Sequence, residues 1–337
     1  MQHRPSIDSR AENVAALELI RAGRRFLLVG HERPDGDCLG AQTAMAGVLE
    51  SLGKEVFIEN PDPVQPSLSH LAERRSFRVH RGGALPVHDV VCLLDFSVLS
   101  RCGAMAAAVE RAGSKILVVD HHVVHGEPFW DAAYLDVRAS ATGLLVRRIA
   151  ADLGVELDRH AALGVFTSLV TDTGWFKYSN TDAETLRVAA EMVELGVDPA
   201  RVHRTIFQRA SRSRPHGIAR ALERLVYHAD GRVALVALPP PAAGQAELDD
   251  GDEVLDLMRA VETVEVALFL RETRSGAVRL SARSKGESDV QLIASAFGGG
   301  GHQKAAGATL EGPVDLAAER VLAQTLSQLR ANEARPA

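Results

Sequence analysis

Phe26-Leu27-Leu28-Val29-Gly30-His31-Glu32-Arg33-Pro34-Asp35-Gly36-Asp37 is the stretch from which the architecture of the first half can be read. Phe26 to Gly30 carries no polar side chain and reads as a strand buried on both faces. The chain then changes character at once. The His31 imidazole, the Asp35 and Asp37 carboxylates and a glycine that eases the backbone bend share one short turn. A helical stretch follows, from Leu39 to Leu52. The same alternation recurs, with strands predicted at Glu55 to Glu59, Asp89 to Leu94 and Lys115 to Val119, and a helix at Ala104 to Ala112. Short apolar strands separated by helices predict an open α/β fold with a parallel sheet covered on both faces.

From about Ser140 to Tyr227 the pattern is mainly helical. Thr181-Asp182-Ala183-Glu184 reads as a helix start, with Thr181 capping and Glu184 completing a capping box. Gly196 stops that helix, and Asp198-Pro199 opens the next. Pro215 to Tyr227 is amphipathic, with Ile218, Leu222 and Leu225 on one face, and reads as a connecting helix. Strands return at Val233 to Leu238, followed by a rigid turn over Pro239 to Gly244. Val264 to Thr273 and Val278 to Ala282 form an expected antiparallel pair with Ser275-Gly276 in its turn. A helix from Val290 to Phe297, a glycine run and a long last helix complete a smaller α+β domain. The expected division is a metal-binding domain over residues 10–195, a helical connector over 196–228 and a substrate-binding domain over 229–330.

Composition narrows the function. The 337 residues are 46% hydrophobic, 24% charged and only 4% aromatic, so the core rests on Ala, Val and Leu. A formal charge of −6 argues against a protein that grips long nucleic acid through its phosphates. No long duplex is expected as a partner; a nucleotide substrate would be small and held by a few local cations. Cys38, Cys92 and Cys102 form no CxxC pair and are odd in number, which argues against a disulfide framework and a cysteine zinc finger. The N-terminal MQHRPSIDSR is polar and no run is long enough to span a bilayer. The expectation is a soluble cytoplasmic protein with no membrane partner. The oligomeric state stays open, a homodimer included.

The acids and histidines fall at the carboxyl ends of the predicted strands, the edge where open α/β sheets bind ligands. His31, Asp35 and Asp37 follow the first strand, Asp95 the third, and Asp120, His121 and His122 the fourth. Asp172 follows the apolar stretch Leu163 to Val170. A single strand-ending Asp is commonly a helix cap. Four separate strand ends or loops that each present a hard oxygen or an imidazole are different, because burying so many carboxylates needs compensating cations. Mixed carboxylate and imidazole donors without thiolate suit manganese first, with magnesium, cobalt or iron as alternatives. The donors suffice for two divalent ions, a pair suited to in-line phosphoryl displacement.

The ordered segments HERPDGD, LLDFSVLSRCG, VVDHH, TDTGWFKYSNT and GGGGHQKAAG closely resemble the DHH phosphoesterases that carry a DHH-associated C-terminal domain. The resemblance covers roughly residues 10–330. It is closest to the branch of bifunctional oligoribonucleases and 3′-phosphoadenosine 5′-phosphate phosphatases. It implies that His31, Asp35 and Asp95 hold one metal and that Asp37, Asp95, His121 and Asp172 hold the second, with Asp95 bridging. It further implies that Asp120 stands behind the ligands and orients an imidazole. His122 would then face the substrate phosphate, unless it is a further ligand.

On the substrate side, Gly298 to Gly301 allow close backbone approach to an anion, with His302 and Lys304 attached. Taken alone, such a run is a flexible loop. Arg283-Ser284-Lys285 ends a strand with a guanidinium suited to phosphate, or else forms a surface turn. In the family that the chain resembles, the matching Arg283 and the loop Gly299-Gly300-Gly301-His302 bind the phosphate or nucleotide end that is not cut. The expected substrate is therefore a short RNA or small phosphorylated nucleotide, with the smaller domain closing over it. Alternatives are a RecJ-like single-strand exonuclease, a phosphodiesterase of cyclic-dinucleotide turnover and a non-catalytic nucleotide sensor.

Overall fold

The computed structural model describes residues 9–124, 126–242, 248 and 251–333, and the side chain of His302 lies outside the described residues. Two compact units divide the chain, residues 1–209 and 210–337.

In the first unit six strands form one parallel sheet: β1 (Arg25–Val29), β2 (Glu55–Asn60), β3 (Phe77–Val79), β4 (Val90–Leu94), β5 (Lys115–Asp120) and β6 (Ala132–Leu135). Their order across the sheet is β3-β2-β1-β4-β5-β6. The helices are α1 (Ser9–Ala22), α2 (Gly36–Ser51), α3 (Ala106–Ala112), α4 (Thr142–Leu153), α5 (Arg159–Asp172), α6 (Ala183–Glu194) and α7 (Pro199–Phe207). The unbroken apolar runs have a direct explanation. Phe26, Leu28, Cys92, Leu94, Leu117 and Val119 pack into one core with α1, α2, α4 and α5, whereas Leu27, Val29, Val91, Leu93 and Val118 pack into a second core on the opposite face. Successive strand residues point to opposite faces, so a sheet covered on both sides needs apolar residues at every position.

Two of these strands escape the sequence reading. β3 is three residues long, and β6 opens on Ala132-Ala133, which carry little strand preference of their own. The cap of α6 is also one residue later than Thr181: the Asp182 carboxylate accepts from Thr185 N at 2.8 Å. Glu184 instead pairs with Arg148 at 2.6 Å. Gly196 (φ 94°) and the Asp198-Pro199 start of α7 are as the sequence implies.

The position of α5 depends on missing side chains. A Cβ on Gly40 of α2 would stand 2.4 Å from Gly164 O, and one on Gly164 would stand 2.5 Å from Gly40 O. The helices therefore touch backbone to backbone. Gly36 serves the same contact, since a Cβ there would meet Thr171 Cγ2 at 2.3 Å. Its job is close approach to α5 rather than the turn expected from sequence, and the result is that α5 carries Ser168 and Asp172 to the start of α2.

The second unit holds α8 (Arg214–Leu222), β7 (Leu225–His228), β8 (Val233–Leu238), α9 (Asp252–Arg259), β9 (Val266–Glu272), β10 (Val278–Ser284), α10 (Val290–Ser295), β11 (Gly300–His302), β12 (Ala305–Leu310) and α11 (Val314–Glu333). Its sheet runs β11-β12-β10-β9-β8-β7, with only β8 and β9 parallel. α10 and α11 pack on one face, α8 and α9 on the other. The helix expected over Pro215 to Tyr227 ends at Leu222, and Leu225 to His228 pair with β8 instead. The stretch 196–228 thus contains α7, α8 and β7, with the unit boundary at 209 and 210. Of the turn expected over Pro239 to Gly244, residues 239–242 are loop and the rest lies outside the described residues.

Candidate metal centre

The strand order turns back on itself between β1 and β4, so the loops leaving their carboxyl ends diverge and open a crevice there. His31, Asp35 and Asp37 leave β1, Asp95 leaves β4, and Asp120 ends β5 with His121 and His122 behind it. Asp172, the last residue of α5, enters from the helical layer.

These residues converge. His31 Nε2 lies 3.4 Å from Asp95 Oδ2 and 3.9 Å from Asp35 Oδ1. His121 Nε2 lies 3.4 Å from Asp37 Oδ2 and 3.6 Å from both Asp95 Oδ1 and Asp172 Oδ2. Two donors bound to one ion at about 2.1 Å each stand roughly 3 to 3.5 Å apart. The two 3.4 Å separations match that spacing, and the other three, at 3.6 to 3.9 Å, lie just above it. Within each of the groups His31–Asp35–Asp95 and Asp37–His121–Asp172 the candidate atoms lie within 4.8 Å of one another, as they do in Asp95–His121–His122. Asp95 joins the groups, with one oxygen toward each histidine.

The tautomers point the same way. His31 Nδ1 donates to Glu32 O at 2.8 Å, and His121 Nδ1 donates to Ala139 O at 3.0 Å. With the ring proton on Nδ1, each Nε2 presents a lone pair, the state a metal requires. Both Nε2 atoms are buried without a hydrogen-bond partner. An orphaned buried acceptor costs about 1–3 kcal/mol, and a divalent ion would remove that cost. The donor set therefore fits divalent metal.

Electrostatics agree. Burial, with the charges of Asp37 and Asp35 behind it, pushes the Asp95 carboxyl well above the usual range. Asp172 is pushed up to about 7, by burial first and Asp37 second. Asp95 also sits in the left-handed region, φ 72°, which Asp tolerates better than most residues. Asp35 is the exposed member of the cluster, and it doubles as the cap of α2, accepting from Asp37 N and Cys38 N.

Several supporting residues escape sequence reasoning. Asp37 accepts from Thr142 N at 2.8 Å, from Gly143 N at 3.2 Å and from Ser168 Oγ. The first two are the leading amides of α4, so the carboxylate rests on a helix N-terminus. Thr142 Oγ1 donates to Asp95 Oδ1 at 2.9 Å. The only sequence signal is polar residues inside apolar helices, with Ser168 lying 131 positions from Asp37.

His122 is placed differently from His121. Its Nδ1 lies 2.8 Å from Asp120 Oδ1, and its backbone N donates to the same oxygen at 3.1 Å. Burial works to raise the Asp120 carboxyl, but the bonds and charge of His122 bring it below the ordinary value; the bond to Asp120 raises His122 in turn. The imidazole that Asp120 orients is thus His122.

In the second unit, Arg283 of β10 and His302 of β11 both pair with Ala305 of β12, so they occupy one level of the sheet on either side of it. Arg283 Nη2 contacts Asp252 Oδ1 at 2.7 Å. Ser284 Oγ donates to Ser288 O at 2.8 Å, and Lys304 Nζ donates to Gly286 O and Ser288 O, so both close the turn after β10. Part of the glycine run is strand rather than loop. A Cβ on Gly299 would stand 2.2 Å from Gly307 O and one on Gly301 2.5 Å from Ala305 O, so both admit β12; Gly300 faces open space.

A parallel sheet with paired carboxylate–imidazole groups at its switch point defines a class of metal-dependent hydrolase folds. Residues 25–197 match the DHH family, N-terminal domain, residues 242–331 match the DHHA1 domain, and the chain belongs to the DHH family. A relative from Thermus thermophilus, 35% identical over 301 residues spanning 89% of this chain and 88% of its own, is named bifunctional oligoribonuclease and PAP phosphatase NrnA. The crystal structure of an exopolyphosphatase-related protein from Bacteroides fragilis matches with TM-score 0.85 and 23% identity, covering 97% of this chain and 99% of that one. RecJ from Thermus thermophilus in complex with Mn2+ matches with TM-score 0.53 and 16% identity, over 97% of this chain and 55% of RecJ.

Proposed function

We propose that the chain is a metal-dependent phosphoesterase that cuts short oligoribonucleotides, pApA included, to mononucleotides and converts 3′-phosphoadenosine 5′-phosphate to AMP. The observation that carries this reading is the pair of carboxylate–imidazole groups joined through the two oxygens of Asp95. The substrate class follows the name of the Thermus relative. The net charge of −6 favours a short substrate over a long one.

His31, Asp35 and Asp95 would hold one divalent ion, and Asp37, Asp95, His121 and Asp172 the other, manganese first with magnesium or cobalt as alternatives. Bound ions of this kind lower the pKa of water and neutralise charge on phosphoryl oxygens. The chain's own residues do the rest. Thr142 and Ser168 fix the carboxylates of Asp95 and Asp37 in place. Asp120 occupies His122 Nδ1, so proton delivery to the departing oxygen as the P–O bond breaks falls to His122 Nε2. Arg283, His302 and the amides of Gly299 to Gly301, with Ser284 and Lys304 shaping their turn, hold the phosphate that is not cut. Among the described residues no helix is long and apolar enough to cross a membrane, and all three cysteines are free and buried. A reducing cytoplasmic setting fits both.

The test is a length series of RNA from dinucleotide upward, plus 3′-phosphoadenosine 5′-phosphate, in Mn2+ and read as kcat/KM. Values should be highest for the shortest RNAs and measurable on the mononucleotide. Equal or better cutting of long RNA overturns the reading.

A further inference from the structure

Directly after Asp172 the backbone does something costly. Gly174, Trp175 and Phe176 are consecutive left-handed residues, with φ of 56°, 62° and 64°. Bulky aromatic residues rarely adopt this region, at a cost of about 1–3 kcal/mol each. Packing holds the turn in place. Trp175 and Phe176 both pack on Phe166 of α5, at ring separations of 6.1 and 6.4 Å, and Trp175 also meets His203 and Phe207 of α7.

The turn folds Tyr178 back over the residues that directly follow Asp172. Tyr178 N donates to Thr173 O at 3.1 Å, and the phenol ring lies directly over Gly174, where a Cβ would stand 2.3 Å from Cζ. Asn180 Nδ2, two residues on, bonds Asp172 O at 3.2 Å and ties the segment back to that candidate ligand. Yet Tyr178 is 40% exposed, although it stands on a turn built at such cost. The neighbouring Lys177 is exposed as well, with Nζ 5.6 Å from the ring centroid.

We propose that Tyr178 is the stacking platform for the nucleobase next to the scissile phosphate. An aromatic face accepts any base, so the residue recognises a nucleotide without reading its sequence. The inference rests on the phosphoesterase reading, because it needs a substrate phosphate at the metal centre. It assigns substrate grip to a residue of the first unit, separate from the Arg283 and His302 region.

The experiment compares wild type with Tyr178→Phe, Tyr178→Leu and Tyr178→Ala on pApA in Mn2+, and on the same phosphodiester with the bases removed. Tyr178→Leu keeps apolar bulk over Gly174 but has no π face. The expected result is a KM raised roughly ten- to a hundredfold in the Leu and Ala variants with kcat nearly kept, wild-type behaviour in the Phe variant, and no KM difference on the abasic substrate. An active wild type whose KM is unchanged in Tyr178→Leu overturns the stacking role alone. An equal penalty on the abasic substrate also overturns it. A wild type inactive on pApA overturns the phosphoesterase reading and this inference together.

Discussion

Replacing Asp172 with Asn should stabilise the metal-free protein while weakening its hold on metal. The Asp172 carboxyl is pushed up to about 7 from 3.8, by burial and then by Asp37. That gap corresponds to about 4 kcal/mol between its two protonation states. The side chain is 32% exposed, and screening by water reduces the figure to about 2 kcal/mol. Because the folded-state value is raised, the native protein binds the extra proton between about pH 4 and pH 7. Stability of the metal-free protein therefore falls as pH rises through that window, and the full penalty is present above pH 7. Asn carries no charge and escapes it. Thermal unfolding in chelator should show the variant higher by about 4–8 °C at pH 8 and little different near pH 4. Adding Mn2+ at pH 8 should raise the wild type by clearly more than the variant, which keeps the His31–Asp35–Asp95 group. A variant that is less stable than wild type in chelator at pH 8, or one that Mn2+ stabilises equally, refutes the argument.

Three further outcomes follow from the same geometry. Ser168→Ala removes one of three donors to Asp37 and should weaken Mn2+ binding about 10- to 100-fold in a metal titration, with the fold retained. Gly164→Ala forces a Cβ into Gly40 O and should cost about 1–3 kcal/mol in urea unfolding, with a raised Mn2+ requirement as α5 shifts Asp172. His122→Gln should lower kcat about 10²- to 10⁴-fold at unchanged metal content; loss of metal would instead make His122 a ligand.

Much of the first sheet is legible in sequence, for a physical reason. A strand covered on both faces must be apolar at every position, as Leu27-Leu28-Val29 and Val91-Cys92-Leu93 are, and it ends where the polar site begins. β3 and β6 carry too short or too plain a signal. The acids and histidines are visible because each marks a strand end, but their pairing is not: that Asp95 turns one oxygen to His31 and the other to His121 depends on its left-handed φ and on Thr142. Ser168 reads as one more polar residue in a helix. It becomes a partner of Asp37 only because Gly40 and Gly164 let α2 and α5 touch, a contact between positions far apart in the chain. The glycine run shows the converse, a pattern that reads as loop in isolation while Gly300 and Gly301 form an edge strand against β12.

The two-ion reading turns on Asp95, which directs one oxygen to His31 and the other to His121. The direct measurement is kcat/KM on pApA in Mn2+ for Asp95→Asn, a substitution that keeps the side-chain size and tolerates the left-handed backbone, with circular dichroism to confirm the fold. The wild type should release AMP, and the variant should lose about 10³-fold or more together with Mn2+ content. A folded Asp95→Asn protein with near wild-type turnover would contradict the two-ion reading.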